Sequence, residues 1–207
     1  MIEYVFFKSS LSVNEPFTAA EREKKFKYIF SNDVKVGWPQ SRPLQLTVCG
    51  VESKKFKSPM SDAFVTWNTA LEGRLNMSLV FAENRCPPFS DLNFTGIYIV
   101  DEFAPSAWGE TLSVGSRSSQ SIVDADVFLY LRNYRKTWDK MGLSYEDLKV
   151  SNSYTFYETM THEIGHLLGL SHNFAVSPSI MSYSDDRRFS IYDKAAIRAL
   201  YPMIKSN

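Results

Sequence analysis

The chain contains three histidines among its 207 residues, and all of them fall in one short run. That run is His162-Glu163-Ile164-Gly165-His166-Leu167-Leu168-Gly169-Leu170-Ser171-His172. Residues four apart on an α-helix share a face one turn apart, so His162 and His166 can offer two imidazoles to one ion. Glu163 lies next round the helix, placed to reach a water on that ion and not the ion itself. Gly169 can adopt the left-handed conformation that ends a helix, and the turn would return His172 as a third donor. Three neutral imidazoles leave one position of a tetrahedral zinc open, which is the arrangement of a catalytic site and not a structural one. Zinc lowers the pKa of a bound water to roughly 7 and polarises a carbonyl beside it. Glu163 would take the proton from that water and pass it to a departing amine. The extended pattern H-E-x-x-H-x-x-G-x-x-H therefore specifies peptide-bond hydrolysis. A bare H-E-x-x-H arises by chance in packed or solvated histidines; the glycine and third histidine in register are far more restrictive.

Several elements must position these residues. Thr155 with Glu158 three residues later reads as a capping box that opens the histidine helix. Ser58 as cap, Pro59 at the first position and the spacing of Met60, Phe64, Trp67, Ala70 and Leu71 predict a second core helix. Short apolar strands are predicted at Leu44–Val48, Met77–Phe81, Gly96–Val100 and Ile122–Leu129, with an edge strand at Thr111–Gly115. Asp124 and Asp126 alternate with apolar neighbours and should share one side of their strand. Solvated or capping carboxylates are the favoured reading there, with a Ca2+ site as the alternative.

A second landmark lies beyond the third histidine. Ser179-Ile180-Met181-Ser182-Tyr183, together with the histidine motif, resembles the metzincin metallopeptidases, in which a Met-turn underlies the zinc. The resemblance implies that Met181 packs beneath the imidazoles without ligating. The wording S-I-M-S-Y is similar to serralysins, where the tyrosine can ligate zinc, so Tyr183 becomes a candidate fifth ligand or oxyanion stabiliser. The short connection from Asn173 to Ile180 is instead similar to matrixins. So are Asp193–Tyr201, which resembles the last helix of a matrixin catalytic domain, and the run Trp38-Pro39 to Val48, which resembles its first strand. The resemblance spans roughly residues 28–202. It implies an α+β fold: a twisted, mainly parallel five-stranded sheet with an antiparallel edge strand, two long helices and a C-terminal helix. It also implies that the edge strand above the cleft takes substrate by strand addition. The chain departs from the matrixin pattern at Tyr183 and Asn173, and no histidine remains for a second, structural zinc.

On these grounds Glu163 and Tyr183 take catalytic roles, His162, His166 and His172 ligate zinc, and Met181 and Gly169 are structural. The expected activity is zinc endopeptidase hydrolysis of protein or peptide substrates by a monomer. The rival is a catalytically silent homologue that keeps the metal and captures a partner; the intact Glu163 argues against it.

Formal charge is balanced, with 23 basic and 23 acidic residues, which gives no general pull toward nucleic acid or anionic membrane. No run is long and apolar enough to span a bilayer. Residues 1–27 form an extension without an interpretable motif, ahead of a catalytic domain at 28–207. Glu3 and Lys8 interrupt the N-terminal apolar stretch, so it is not read as a signal peptide; secreted or periplasmic localisation is expected from the resemblance. Cys49 and Cys86 each close an apparent strand, so a disulfide is as plausible as two free thiols. A lesser alternative makes Cys49 a latency cysteine that caps the zinc.

Overall fold

A computed structural model describes residues 4–10, 30–31, 34–50, 56–82, 86–88, 91–101, 104, 107–116, 118–119, 121–134, 156–173, 177–182 and 186–204. Its main sheet contains β1 (Tyr4–Ser10), β4 (Leu44–Cys49), β5 (Met77–Ala82), β6 (Thr95–Val100), β7 (Gly109–Ser116) and β8 (Ser121–Tyr130), and a separate ribbon pairs β2 (Phe30–Ser31) with β3 (Val34–Lys35). Among the described residues the long helices are α1 (Lys57–Leu71), α2 (Phe156–Leu167) and α3 (Ile191–Leu200). Sheet order is β1-β7-β8-β6-β4-β5. The pairs β4–β5, β4–β6 and β6–β8 are parallel, whereas β7 runs antiparallel to β8. This is the α+β, mainly parallel architecture expected, with each predicted strand present.

One difference concerns the edge. The sheet has a sixth strand, because β1 pairs antiparallel along the outer side of β7. The strand expected to be a free edge is therefore internal, and the extension ahead of residue 28 contributes to the sheet. Nothing in the sequence from 4 to 10 announces that partner, which lies about a hundred residues away.

Helix α1 is the crossover between parallel strands β4 and β5. Its buried residues Met60, Ala63, Trp67, Ala70 and Leu71 recur at helical spacing, and each large apolar side chain so buried contributes about 1.5–3 kcal/mol. The cap differs from expectation. The helix starts at Lys57 after Phe56, with no side-chain cap hydrogen bond, so Ser58 and Pro59 lie within the first turn. Phe56 is instead fully buried and stacks on Phe156 at 4.3 Å, so packing fixes where the helix begins without a side-chain cap. Thr155 lies outside the described residues. Trp67 reaches from α1 to donate to the Thr161 carbonyl of α2 at 2.7 Å, locking the two helices in register.

Cys49 and Cys86 form a disulfide with Cα atoms 5.8 Å apart. The bond removes Cys49 as a zinc-capping thiol. It closes a separation of 37 residues, for which chain entropy gives about 4 kcal/mol of stabilisation.

Candidate active site

Helix α2 carries the first two histidines, and its C-terminus is built to return the third. Gly169 has φ +99°, and two hydrogen bonds close the end: Gly169 N–H to the His166 carbonyl and Leu170 N–H to the Gly165 carbonyl, both at 2.9 Å. This is the Schellman arrangement that satisfies the last helical carbonyls. A Cβ on Gly169 would sit 2.5 Å from the Val36 carbonyl oxygen, so close approach as well as backbone conformation demands glycine. Two further carbonyls at this end are met from elsewhere: Leu167 by the Trp38 indole N–H at 2.8 Å and Leu168 by the Tyr201 hydroxyl at 2.8 Å.

The turn also fixes an imidazole. His166 Nδ1 lies 2.8 Å from the Leu170 carbonyl oxygen, and His162 Nδ1 lies 2.7 Å from that of Ile180. A carbonyl only accepts, so each Nδ1 carries the proton and each Nε2 presents a lone pair. The Nε2 atoms of His162, His166 and His172 are 2.9, 3.0 and 3.2 Å apart. Two deprotonated nitrogens cannot hydrogen-bond to each other, so His162 and His166 face a shared centre. The spacing is near the roughly 3.3 Å edge of a tetrahedron with metal–nitrogen bonds of about 2.05 Å. Among the described residues these three form the one group of three converging histidine, cysteine or carboxylate donors. Burial holds His162 and His172 well below the usual imidazole range and brings His166 to about 4. All three are thus neutral near pH 7, as ligands must be. The donor set fits a zinc ion.

Glu163 is completely buried beside this centre. The Thr111 hydroxyl of β7 is 2.6 Å from Glu163 Oε2 and 3.1 Å from its carbonyl oxygen; with one proton to give, it serves the nearer carboxylate. Oε1 is buried with no partner. Desolvation pushes the carboxyl up to about 8, with the Thr111 hydrogen bond opposing it; a dication among the imidazoles acts in the same opposing direction. Gly109 makes this approach possible, because a Cβ there would fall 2.8 Å from Glu163 Cγ. Neither Gly109 nor Thr111 stands out in the sequence, since their contact with Glu163 depends on tertiary packing alone.

The turn through Ile180 and Met181 lies beneath. Met181 is buried, and a Cβ on Gly165 would meet its sulfur at 2.4 Å, so the methionine fills the space left by the glycine between Glu163 and His166. Asp193 on α3 anchors the turn. Its carboxylate accepts from Ser179 Oγ at 2.5 Å, the Ile180 N–H at 3.1 Å and the Ser190 N–H at 2.8 Å. Ser190 and Asp193 also form the capping box of α3. Tyr183 lies outside the described residues.

Asp124 and Asp126 are both buried, and Asp126 accepts the Gly96 N–H at 2.8 Å. No third carboxylate, histidine or cysteine donor converges on them among the described residues, so the calcium alternative gains no support.

A helix presenting two histidines, a glycine turn returning the third and an antiparallel strand passing the glutamate are the layout of a zincin-type metal site. Residues 44–202 match the family model described as Matrixin. The chain belongs to the matrixins, a family of zinc metalloendopeptidases. No curated protein matches it significantly.

Proposed function

We propose that the protein is an endopeptidase that hydrolyses peptide bonds in proteins, with His162, His166 and His172 holding one zinc and Glu163 as general base and then acid. The observation that carries this reading is the convergence of three Nε2 atoms, two of them from a helix that also carries a buried carboxylate with one oxygen held and the other without a partner. When bound, zinc supplies Lewis acidity toward a water and a substrate carbonyl. The protein's own residues do the rest. Thr111 holds Oε2, which leaves the unpartnered Oε1 as the oxygen to accept the proton. Burial keeps bulk water from competing for that oxygen. Once protonated, Glu163 returns the proton to the departing amine as the C–N bond breaks. The carbonyls of Ile180 and Leu170 hold His162 and His166 in the tautomer that points Nε2 inward. Met181, filling the space at Gly165, gives the imidazoles a fixed floor.

Tyr183 completes the proposal as a fifth ligand or oxyanion donor, on the strength of the serralysin-like wording of its turn. The Cys49–Cys86 disulfide supports an oxidising compartment and hence a secreted or periplasmic enzyme.

The test is Glu163→Ala. It should keep stoichiometric zinc while cleavage of a denatured protein falls by roughly two to four orders of magnitude. Equal inertness of wild type and variant across a broad peptide library would instead leave a zinc protein that captures a partner.

A further inference from the structure

The β7 strand passes the catalytic glutamate at one end and carries another strand along its length. At Gly109 and Thr111 it touches Glu163. Along its outer side the register runs from Tyr4↔Ser116 through Phe6↔Val114 to Ser9↔Thr111 and Ser10↔Glu110. Because the pairing is antiparallel, a chain lying there advances toward Glu163 as it runs from N- to C-terminus. A peptide in that position would deliver its C-terminal end to the reacting centre, so the residues seated on β7 would be those preceding the scissile bond. Exposed sheet edges take extended peptides by strand addition. Here the ladder groups on the outer side of β7 are paired to Tyr4–Ser10, and the pairing stops beside Thr111 and Glu110.

We propose that Tyr4–Ser10 is an intramolecular occupant of the seat that a substrate's residues before the scissile bond would take, so that the chain competes with its own substrate. The inference rests on the endopeptidase reading for its meaning and on the register for its geometry. A tethered strand acts at an effective concentration in the millimolar range for a short linker, so an ordinary peptide substrate is at a disadvantage. The occupied seat lies on one side of the scissile bond. With β1 in place, substrates are chosen by their residues after the bond; with β1 released, residues before it add to binding. The signature is competitive: KM changes and kcat does not.

The experiment uses the full chain with a protease recognition sequence inserted after Asn14, cleaved after folding so that β1 can leave. Two fluorogenic peptides share the residues after the scissile bond; one extends five residues before it and the other only one. Nicking should lower KM for the long peptide about tenfold and leave the short one unchanged, and added peptide YVFFKSS should restore the higher KM. A second form, Phe6→Pro with Phe7→Pro, removes a ladder N–H whichever of the two faces β7, and should reproduce the nicked behaviour without a cut. Unchanged KM for the long peptide in both forms overturns the proposal. So does loss of short-peptide cleavage in both, because β1 is then a constituent strand that shapes β7. Binding of the long peptide to the Glu163→Gln protein, intact and nicked, is read by calorimetry and needs no turnover. Tighter binding after nicking supports the occupant even if neither peptide is hydrolysed, which sinks only the endopeptidase reading; equal binding overturns the occupant alone.

Discussion

The two carboxylate oxygens of Glu163 are treated differently. Oε2 is held by the Thr111 hydroxyl, and Oε1 is buried without a hydrogen-bond partner. A carboxylate free to rotate would present either oxygen in many poses, and proton transfer needs one. Thr111 is therefore a positioning residue. Thr111→Val keeps shape and volume and deletes the donor; a hydrogen bond to a charged group is worth about 1.5–3 kcal/mol, so kcat should fall roughly tenfold to a hundredfold with KM little changed. Thr111→Ser should recover most of the loss, because the hydroxyl returns. Steady-state kinetics on one peptide, with zinc content measured in each variant, checks this. A loss confined to KM, or no rescue by serine, would show that the threonine merely fills space. The histidines and Glu163 were legible from sequence because helix geometry and one glycine turn bring them together from a single short run. Thr111 was not, because its partner is 52 positions away and nothing local to the strand marks it.

Among the elements, α2 supplies the donors, and its neighbours hold them still. Trp67 from α1 takes the Thr161 carbonyl, Trp38 and Tyr201 take those of Leu167 and Leu168, and the turn at Ile180 takes His162 Nδ1. Helix α3 joins this support through Asp193, which bonds Ser179 and Ile180 of the turn and caps its own helix. The α3 helix could be read from sequence as Asp193–Tyr201, yet it begins at Ile191, and Asp193 serves as a strut as well as a helical residue. The strut was hidden because a capping carboxylate looks the same whether or not a second loop leans on it. Asp193→Ala should leave the Ser179 hydroxyl and the Ile180 amide buried without an acceptor, and should strip the half-buried Ser190 amide of its carboxylate. Each such buried group costs about 1–3 kcal/mol, so a total loss of about 2–6 kcal/mol is expected by denaturant unfolding. Because Ile180 also orients His162, the same variant should lose zinc to a chelator faster than wild type. Normal zinc retention at reduced stability would separate the strut from the metal site.

For the whole molecule, the individual strands and the first core helix could be read from hydrophobic periodicity and their mainly parallel arrangement from the matrixin resemblance, whereas the sixth strand could be read from neither. Tyr4–Ser10 finds its place by pairing with β7, and edge pairing is set by tertiary geometry that a seven-residue run cannot encode. The same assembly buries Asp124 and Asp126 on β8, and this gives the fold a pH dependence of definite sign. Desolvation pushes Asp124 up to about 6 and Asp126 up to about 7, the latter opposed by its Gly96 hydrogen bond and raised further by Asp124 and Asp91. The unfolded carboxyl titrates near 3.9, so between about pH 4 and 7 the folded state binds more protons than the unfolded one. Stability from these two groups is therefore complete below about pH 4 and is lost as pH rises through 6 to 7. The buried histidines work in the other direction, since their lowered values make the unfolded state the better proton acceptor in acid. A difference between two proteins isolates the carboxyl. Asp126→Asn keeps an oxygen for the Gly96 N–H and cannot ionise. Relative to wild type it should gain stability as pH rises from 5 to 8, by roughly 1–3 kcal/mol. Scanning calorimetry across that range should show the two melting curves diverging by about 3–10 °C, with the variant higher at pH 8. Parallel curves would mean that Asp126 is already ionised in the folded protein at pH 5.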